Sequence, residues 1–244
     1  MADKLATTPD YGIDAPPVVW TLFLCGTAAL LIAAFGPATF TAGPVTFVVP
    51  PMFWGIGISF LINSALMVLY AKFGKFRHRD RMLALVNWRG DERVLDVGTG
   101  RGLLMIGAAK RLTSGKSVGV DIWSAKDLSG NSEQNTLHNA ELEGVRDRVE
   151  LRTEDATRMS FPDASFDLIL SNLCIHNIPS REGRRSACRE IMRVLKPGGR
   201  ALISDYINTA AYTRWFREGG ADAHRTSLDL LTYPPLRIVD LKKR

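Results

Sequence analysis

No charged side chain occurs between Asp14 and Lys72 of this 244-residue chain, and that stretch constrains the fold more than any other feature. It holds two almost wholly apolar runs, Pro17–Phe35 and Met52–Tyr70. Each is about 19 residues, or about 28 Å as a helix, close to the hydrocarbon thickness of a bilayer. Gly36 to Pro50 carries Pro37, Gly43, Pro44 and Pro50 and reads as a turn region. Trp20, Trp54 and Tyr70 lie near the run ends, where amphipathic rings favour the membrane interface. Two transmembrane helices are therefore expected over residues 17–71. Ordinary core helices would carry a polar face, and a cleaved signal peptide would start with a basic segment and lack a second run.

Residues 1–16 form a short, polar, weakly acidic tail that is expected to be flexible. Lys72, Lys75, Arg77, Arg79 and Arg81 follow the second run and define a basic juxtamembrane linker over 72–90. Positive charge at that end places the linker, and the 91–244 domain after it, on the cytoplasmic side, so an integral membrane protein is expected. The net charge of +6 reads as a solvated basic surface with membrane-flanking arginines. No aromatic-interleaved basic stripe appears, which argues against a nucleic-acid partner. Cys25, Cys174 and Cys188 are odd in number and widely spaced, so neither a disulfide framework nor a metal site is expected.

From Arg93 onward apolar strand signals alternate with helical ones. Strands are predicted at Arg93–Val97, Ser117–Asp121, Val149–Glu154, Phe166–Ser171 and Arg200–Tyr206, with Ser227–Leu231 and Leu236–Leu241 as closing strands. Helices are predicted at Gly102–Leu112, Ser132–Glu143, Arg181–Leu195 and Thr209–Glu218. That alternation specifies an α/β domain: a mostly parallel sheet with helices on both faces.

The first strand delivers Val94-Leu95-Asp96-Val97-Gly98-Thr99-Gly100-Arg101-Gly102. A glycine turn at the carboxyl end of a buried strand is where open α/β sheets bind ligands. The spacing is G-x-G-x-G, one residue short of the dinucleotide fingerprint, which argues against a nucleotide-dependent oxidoreductase. Val118-Gly119-Val120-Asp121 ends the next strand with a carboxylate able to accept both hydroxyls of a ribose. Glu154-Asp155-Ala156 follows the third strand, and Ser171-Asn172-Leu173-Cys174-Ile175-His176-Asn177 follows the fourth.

In this order, residues 94–205 resemble class I S-adenosylmethionine-dependent methyltransferases, especially those acting on quinones, sterols and other small molecules. The resemblance implies a Rossmann-like sheet and S-adenosyl-L-methionine as cofactor. By position it implies that Asp96, Gly98, Gly100 and Gly102 hold the methionine part. It further implies that Asp121 holds the ribose, Ile122 and Asp155 the adenine, and Ser171 and Asn172 the region near the methyl. Ser165-Phe166-Asp167 matches a further recurrent family element. One departure is the loop Ile122–Asn131, longer than is usual before the next helix. The Asn/Asp-Pro-Pro-aromatic signature for amino-nitrogen acceptors is absent after the fourth strand. Three roles stay open for His176: general base, positioning residue or packing residue. The expected function is a membrane-anchored methyltransferase acting on a small or lipophilic acceptor, be it a quinone-like phenol, a lipid or a thiol. The alternative is a non-catalytic cofactor-binding component of a membrane complex.

Overall fold

The protein is described here by a computed structural model covering residues 7–244. Helices α1 (Pro16–Phe35) and α2 (Val49–Leu69) form an antiparallel pair. Both open on prolines, at first-turn positions where the missing N–H has no intrahelical acceptor. The turn region between them is a small β-hairpin, β1 (Thr39–Ala42) against β2 (Val45–Val48). Small residues let the helices approach: a Cβ built on Gly57 would lie 2.5 Å from Leu30 Cδ2, and the Ser64 hydroxyl donates to Val19 O at 3.1 Å. The outer faces stay bare, with Trp20 62%, Leu24 61% and Phe35 85% exposed. Such helices are not the core helices of a soluble domain, whose apolar stripes are covered.

The second helix does not stop at the end of its apolar run. A π-helical turn, Tyr70–Gly74, carries it into α3 (Lys75–Ala84). Met82 and Leu83 on α3 are fully buried against Val94, Leu104, Leu168 and Leu202. The stretch expected to be a solvated linker is therefore largely helical and packed into the core. Its charges are consumed internally as well. Arg77 forms a bidentate pair with Asp229 at 2.9 Å for each bond, Arg81 reaches the same carboxylate at 2.6 Å, and the buried Lys75 ammonium donates to Tyr11 O and Gly12 O at 2.6 Å each.

The seven-stranded sheet comprises β3 (Arg93–Val97), β4 (Lys116–Asp121), β5 (Val149–Thr153), β6 (Phe166–Asn172), β7 (Leu195–Asp205), β8 (Ala221–Arg225) and β9 (Arg237–Lys243). Its order is β5-β4-β3-β6-β7-β9-β8. The first five strands are parallel, and β9 runs antiparallel between β7 and β8. Strand alternation sorts the core into two faces. Leu95, Ile169 and Ile203 meet α6 (Arg181–Val194) and α7 (Thr209–Glu218), whereas Val94, Leu168 and Leu202 meet α3 and α4 (Leu103–Ala109). Helix α5 (Glu133–Leu142) starts on Ser132, whose hydroxyl accepts from Asn135 N. The order reverses between β3 and β6, which opens a crevice at their carboxyl ends.

Two expectations need correction. Ser227–Leu231 is not a strand; Ala221–Arg225 is. Around Asp229, which pairs with Arg77 and Arg81, the chain makes only a single bridge to Leu236 and then turns, while the small Ala221 and Ala223 gave the true strand little apolar signal. Nor do the described residues 10–15 form a free polar tail. Tyr11 is buried and donates to Glu143, Asn139 donates to Asp10 O, and residues 13–15 pair with the loop at 127–129.

Candidate functional site

The crevice is built from strand ends. Asp96, at the end of β3, is buried, and its Oδ2 accepts from Thr99 Oγ1 and Met105 N, both at 2.9 Å. It thereby locks the turn into α4. Burial, with the nearby Asp121 charge, pushes the Asp96 carboxyl up to about 7. Gly98 sits at φ +73°, and a Cβ there would lie 2.3 Å from Cys174 Sγ, so only glycine fits. Gly100, at φ +53°, donates its N–H to Asp121 Oδ2 at 2.7 Å. Gly102 caps α4, away from the opening. The second oxygen of Asp121 accepts from Trp123 N at 2.6 Å and Asn131 Nδ2 at 3.2 Å.

Two cavities meet here. The smaller, about 60 Å³, lies between Asp96, the glycine turn, Asn172 and Asp14. The larger, about 330 Å³, lies between His176, Tyr206, Tyr233 and the α1–α2 pair. Asp14 borders both. Three buried polar atoms gather at this junction: Asp14 Oδ2, 3.6 Å from the Lys75 ammonium, and Asn172 Oδ1 and the Tyr70 hydroxyl, whose side chains interact with each other. Buried polar atoms are costly when poorly paired, and none of these three is held in full hydrogen-bond geometry, so the junction can receive a polar ligand.

The remaining residues singled out in the sequence are dispersed. Ser171 is spent inside the sheet, donating to Val97 O at 2.8 Å. Ile122 is solvent-exposed, and Asp155 accepts from Thr157 N at 2.7 Å on an exposed loop. Both lie outside the two cavities. The loop Ile122–Asn131 is drawn down instead: Leu128 lines the smaller cavity, where a Cβ on Gly100 would come within 2.8 Å of its side chain. The N-terminal segment pins that loop, with Ile13 N donating to Ser129 Oγ at 2.7 Å and Ala15 N to Asp127 O at 2.8 Å.

His176 stands on a 3₁₀ turn, Ile175–Asn177, just past β6. Its Nδ1 lies 2.9 Å from Asp205 Oδ1 at the end of β7. Asp205 is buried and is itself fixed by Tyr206 N at 2.9 Å, His176 N at 3.2 Å and the Tyr212 hydroxyl at 3.3 Å. His176 Nδ1 and Asp205 Oδ1 are at ion-pair distance without hydrogen-bond geometry, so the carboxylate acts on the ring through its charge. The ring stacks edge-on to Tyr206, with centroids 4.9 Å apart, on the wall of the larger cavity. Sequence reasoning did not find Asp205, Asp14 or Tyr70. Only Asp205 left a signal, an acidic residue closing a buried strand. Neighbouring Cys174 cannot supply a thiolate: burial, then the charges of Asp121, Asp205 and Asp96, hold its thiol far above the usual range.

Residues 95–203 match the family model described as a methyltransferase domain. That stretch is similar to class I, S-adenosylmethionine-dependent methyltransferase domains. Over 131 residues the chain is 35% identical to the demethylmenaquinone methyltransferase of Lactiplantibacillus plantarum, covering 53% of this chain and 52% of the relative. Over another 131 it is 30% identical to the 27-O-demethylrifamycin SV methyltransferase of Amycolatopsis mediterranei, covering 54% and 44%. This chain spans only about half the length of these curated relatives. The crystal structure of geranyl diphosphate C-methyltransferase from Streptomyces coelicolor has the same fold, with a TM-score of 0.56 at 15% identity over 69% of this chain and 80% of that one.

Proposed function

We propose that the chain is a membrane-anchored methyltransferase that modifies a hydroxylated small or lipophilic acceptor, with its catalytic domain on the cytoplasmic side. One observation carries the reading: a cavity at the glycine turn shares Asp14 with a second, roomier one beside a His–Asp pair, and buried polar groups lie between them. A non-catalytic cofactor binder has no use for the second cavity. The bare apolar helices, and the basic residues at only one end of the pair, support the anchoring and its orientation. In this reading residues 17–71 anchor the chain and 91–244 form the methyltransferase domain, with 72–90 as a rigid connection.

The residues fit the cofactor. The Gly98–Gly100 cradle would take its amino-acid end, with Asp14 and Asn172 receiving the ammonium. Asp121 keeps one acceptor site on Oδ2 for the ribose, the others being held by Gly100 N, Trp123 N and Asn131 Nδ2. Ile122 and Asp155 would reach the adenine once Leu128 and its loop withdraw, since about 60 Å³ is far below the roughly 300 Å³ of a ligand pocket. When bound, S-adenosylmethionine supplies a methyl group on a sulfonium, whose departure leaves a neutral thioether. His176 Nε2 would take the hydroxyl proton of the acceptor during methyl transfer. Asp205 stabilises the imidazolium that results, and the walls hold the acceptor in line and exclude water.

Asp96 gives the cofactor site a pH dependence. Its carboxyl is raised from 3.8 to about 7, so the stability that this group contributes is fully present below 3.8 and is lost as pH rises from there to about 7. A cationic ligand beside it favours the ionised form. Affinity for S-adenosylhomocysteine, measured by calorimetry, is expected to fall as pH drops below about 7, by up to about tenfold per unit. Asp96→Asn should flatten that dependence; an unchanged slope would place the titration elsewhere.

The activity itself is tested by incubating purified full-length protein with methyl-labelled cofactor and fractionated membrane and soluble extracts. Transfer of label to a membrane-fraction molecule is expected. Absence of transfer to any fraction would reject the enzymatic reading, and extraction of the chain from membranes by alkaline carbonate would reject the anchor.

A further inference from the structure

The larger cavity is only half made by the methyltransferase domain. Its other wall is the helix pair and the turn that follows it: Val18 and Leu22 from α1, Asn63 and Met67 from α2, and Tyr70 from the π-helical turn. These positions are spaced i, i+4 and i, i+4, i+7, so each helix presents one face to the cavity. Leu22 lies six residues into α1, and Asn63 seven residues before Tyr70. The cavity therefore runs about 9–10 Å along the helices, roughly a third of a bilayer's hydrocarbon depth. Trp20, exposed between Val18 and Leu22, marks the interface at the same level.

Its two ends differ in chemistry. At the domain end stand His176, Tyr206 and the buried Tyr70, which opens the π-helical turn. Such turns widen a helix locally and recur at functional sites. Along the helices the apolar lining is Val18, Leu22 and Met67. Asn63 is an exception in name only: its Nδ2 donates to Ser59 O at 2.7 Å and its Oδ1 accepts from Tyr233, which fastens the domain to α2. The outer rim is apolar too. Leu230 and Leu231, just before Tyr233, are 74% and 72% exposed, and Ile207 follows Tyr206. Exposed apolar side chains grouped around an opening mark a membrane-facing surface.

The volume selects the occupant. About 330 Å³ lies at the bottom of the range for ligand pockets, roughly 300–1,000 Å³, so it takes one ring and little more. A longer molecule must leave through a wall, and the apolar wall is the helix pair.

From this we infer that the acceptor is a membrane-resident amphiphile, a hydroxylated ring on a long apolar tail, which reaches His176 from within the bilayer along α1 and α2. The inference rests on the anchored methyltransferase reading and adds the substrate class and its route. The helix pair is then part of the acceptor site, and a soluble acceptor of the same head is a poor ligand.

The test uses the full-length chain in phospholipid nanodiscs with S-adenosylhomocysteine. The probe is a hexadecylphenol carrying a diazirine on the chain next to the ring, compared with the same diazirine phenol cut to a short chain. After illumination, adducts are located by mass spectrometry. The long-chain probe is expected to label Val18, Leu22 or Met67. Met67→Trp, which fills the apolar end, should lower that labelling on the order of tenfold. Leu24→Trp, on the bare outer face, should leave it unchanged. Unaltered S-adenosylhomocysteine affinity in both variants reports an intact domain, and Val18→Trp provides a second block if Met67→Trp does not fold. Membrane retention with equal labelling by the two probes, or labelling insensitive to both blocking variants, would overturn this inference alone. Release by alkaline carbonate would overturn it together with the membrane reading beneath it.

Discussion

His176→Ala is expected to lower turnover on a hydroxylated acceptor by about 10²- to 10⁴-fold, the usual weight of a positioned general base, while cofactor affinity is nearly unchanged. The geometry separates these quantities. His176 borders the larger cavity and not the one at the glycine turn. His176→Asn retains a hydrogen-bonding side chain but no basic nitrogen. If Nε2 removes a proton, both variants fail alike; if the ring only orients the acceptor, His176→Asn keeps appreciable activity. Asp205→Asn adds a third arm. Its carboxylate touches His176 Nδ1 at 2.9 Å, so it should act through the imidazole and not independently. The double variant should then be little worse than His176→Ala alone, because coupled residues are non-additive. Additive losses would show Asp205 to be a structural residue of the β7 end. Near-wild-type rates for both His176 variants would leave the ring a packing partner of Tyr206, as expected for a thiol acceptor that ionises unaided.

The parts of this architecture that the sequence disclosed are those written in local patterns. Leu95, Ile169 and Ile203 alternate with Val94, Leu168 and Leu202 because each strand is buried on both faces, and such runs stand out from their turns. The glycine turn was legible for the same reason: its backbone needs positive φ within a few residues. What stayed hidden depends on distant pairings. Nothing near Asp229 shows that Arg77 and Arg81 will claim it, and so the loop around it read as a strand. The basic cluster read as a solvated linker because the groups that bury and pair it, from Tyr11 to Asp229, lie elsewhere in the chain. Asp14 looked like tail composition until Lys75 and the loop at 127–129 fixed it beside the crevice. Asp121 was found from its strand end, yet its hold on Gly100 N belongs to the folded turn. The role of α1 and α2 in the cavity was the least legible, since an apolar helix facing lipid and one facing a ligand have the same composition.

Gly98→Ala tests the cofactor turn more severely than any change at its rim. A single methyl there would lie 2.3 Å from Cys174 Sγ and 2.4 Å from Cys174 Cβ, on a backbone held at φ +73°. Two costs combine. The left-handed conformation disfavours a Cβ by about 1–2 kcal/mol, and overpacking adds about 1–3 kcal/mol. Gly98 N and Thr99 N both donate to Val120 O, so the turn cannot shift without losing its tie to β4. If the turn relaxes to shed this strain, the cradle for the cofactor opens. Affinity for S-adenosylhomocysteine is then expected to fall by about a hundredfold, the equivalent of about 3 kcal/mol, with a smaller loss in melting temperature. Cys174→Gly distinguishes the two costs. Combined with Gly98→Ala, it removes both close contacts but leaves the left-handed strain, so it should restore about tenfold of the lost affinity. Full affinity in Gly98→Ala would mean that the cofactor does not rest on this turn. A double variant as weak as Gly98→Ala alone would mean that backbone strain, and not the contact with Cys174, reserves the position for glycine.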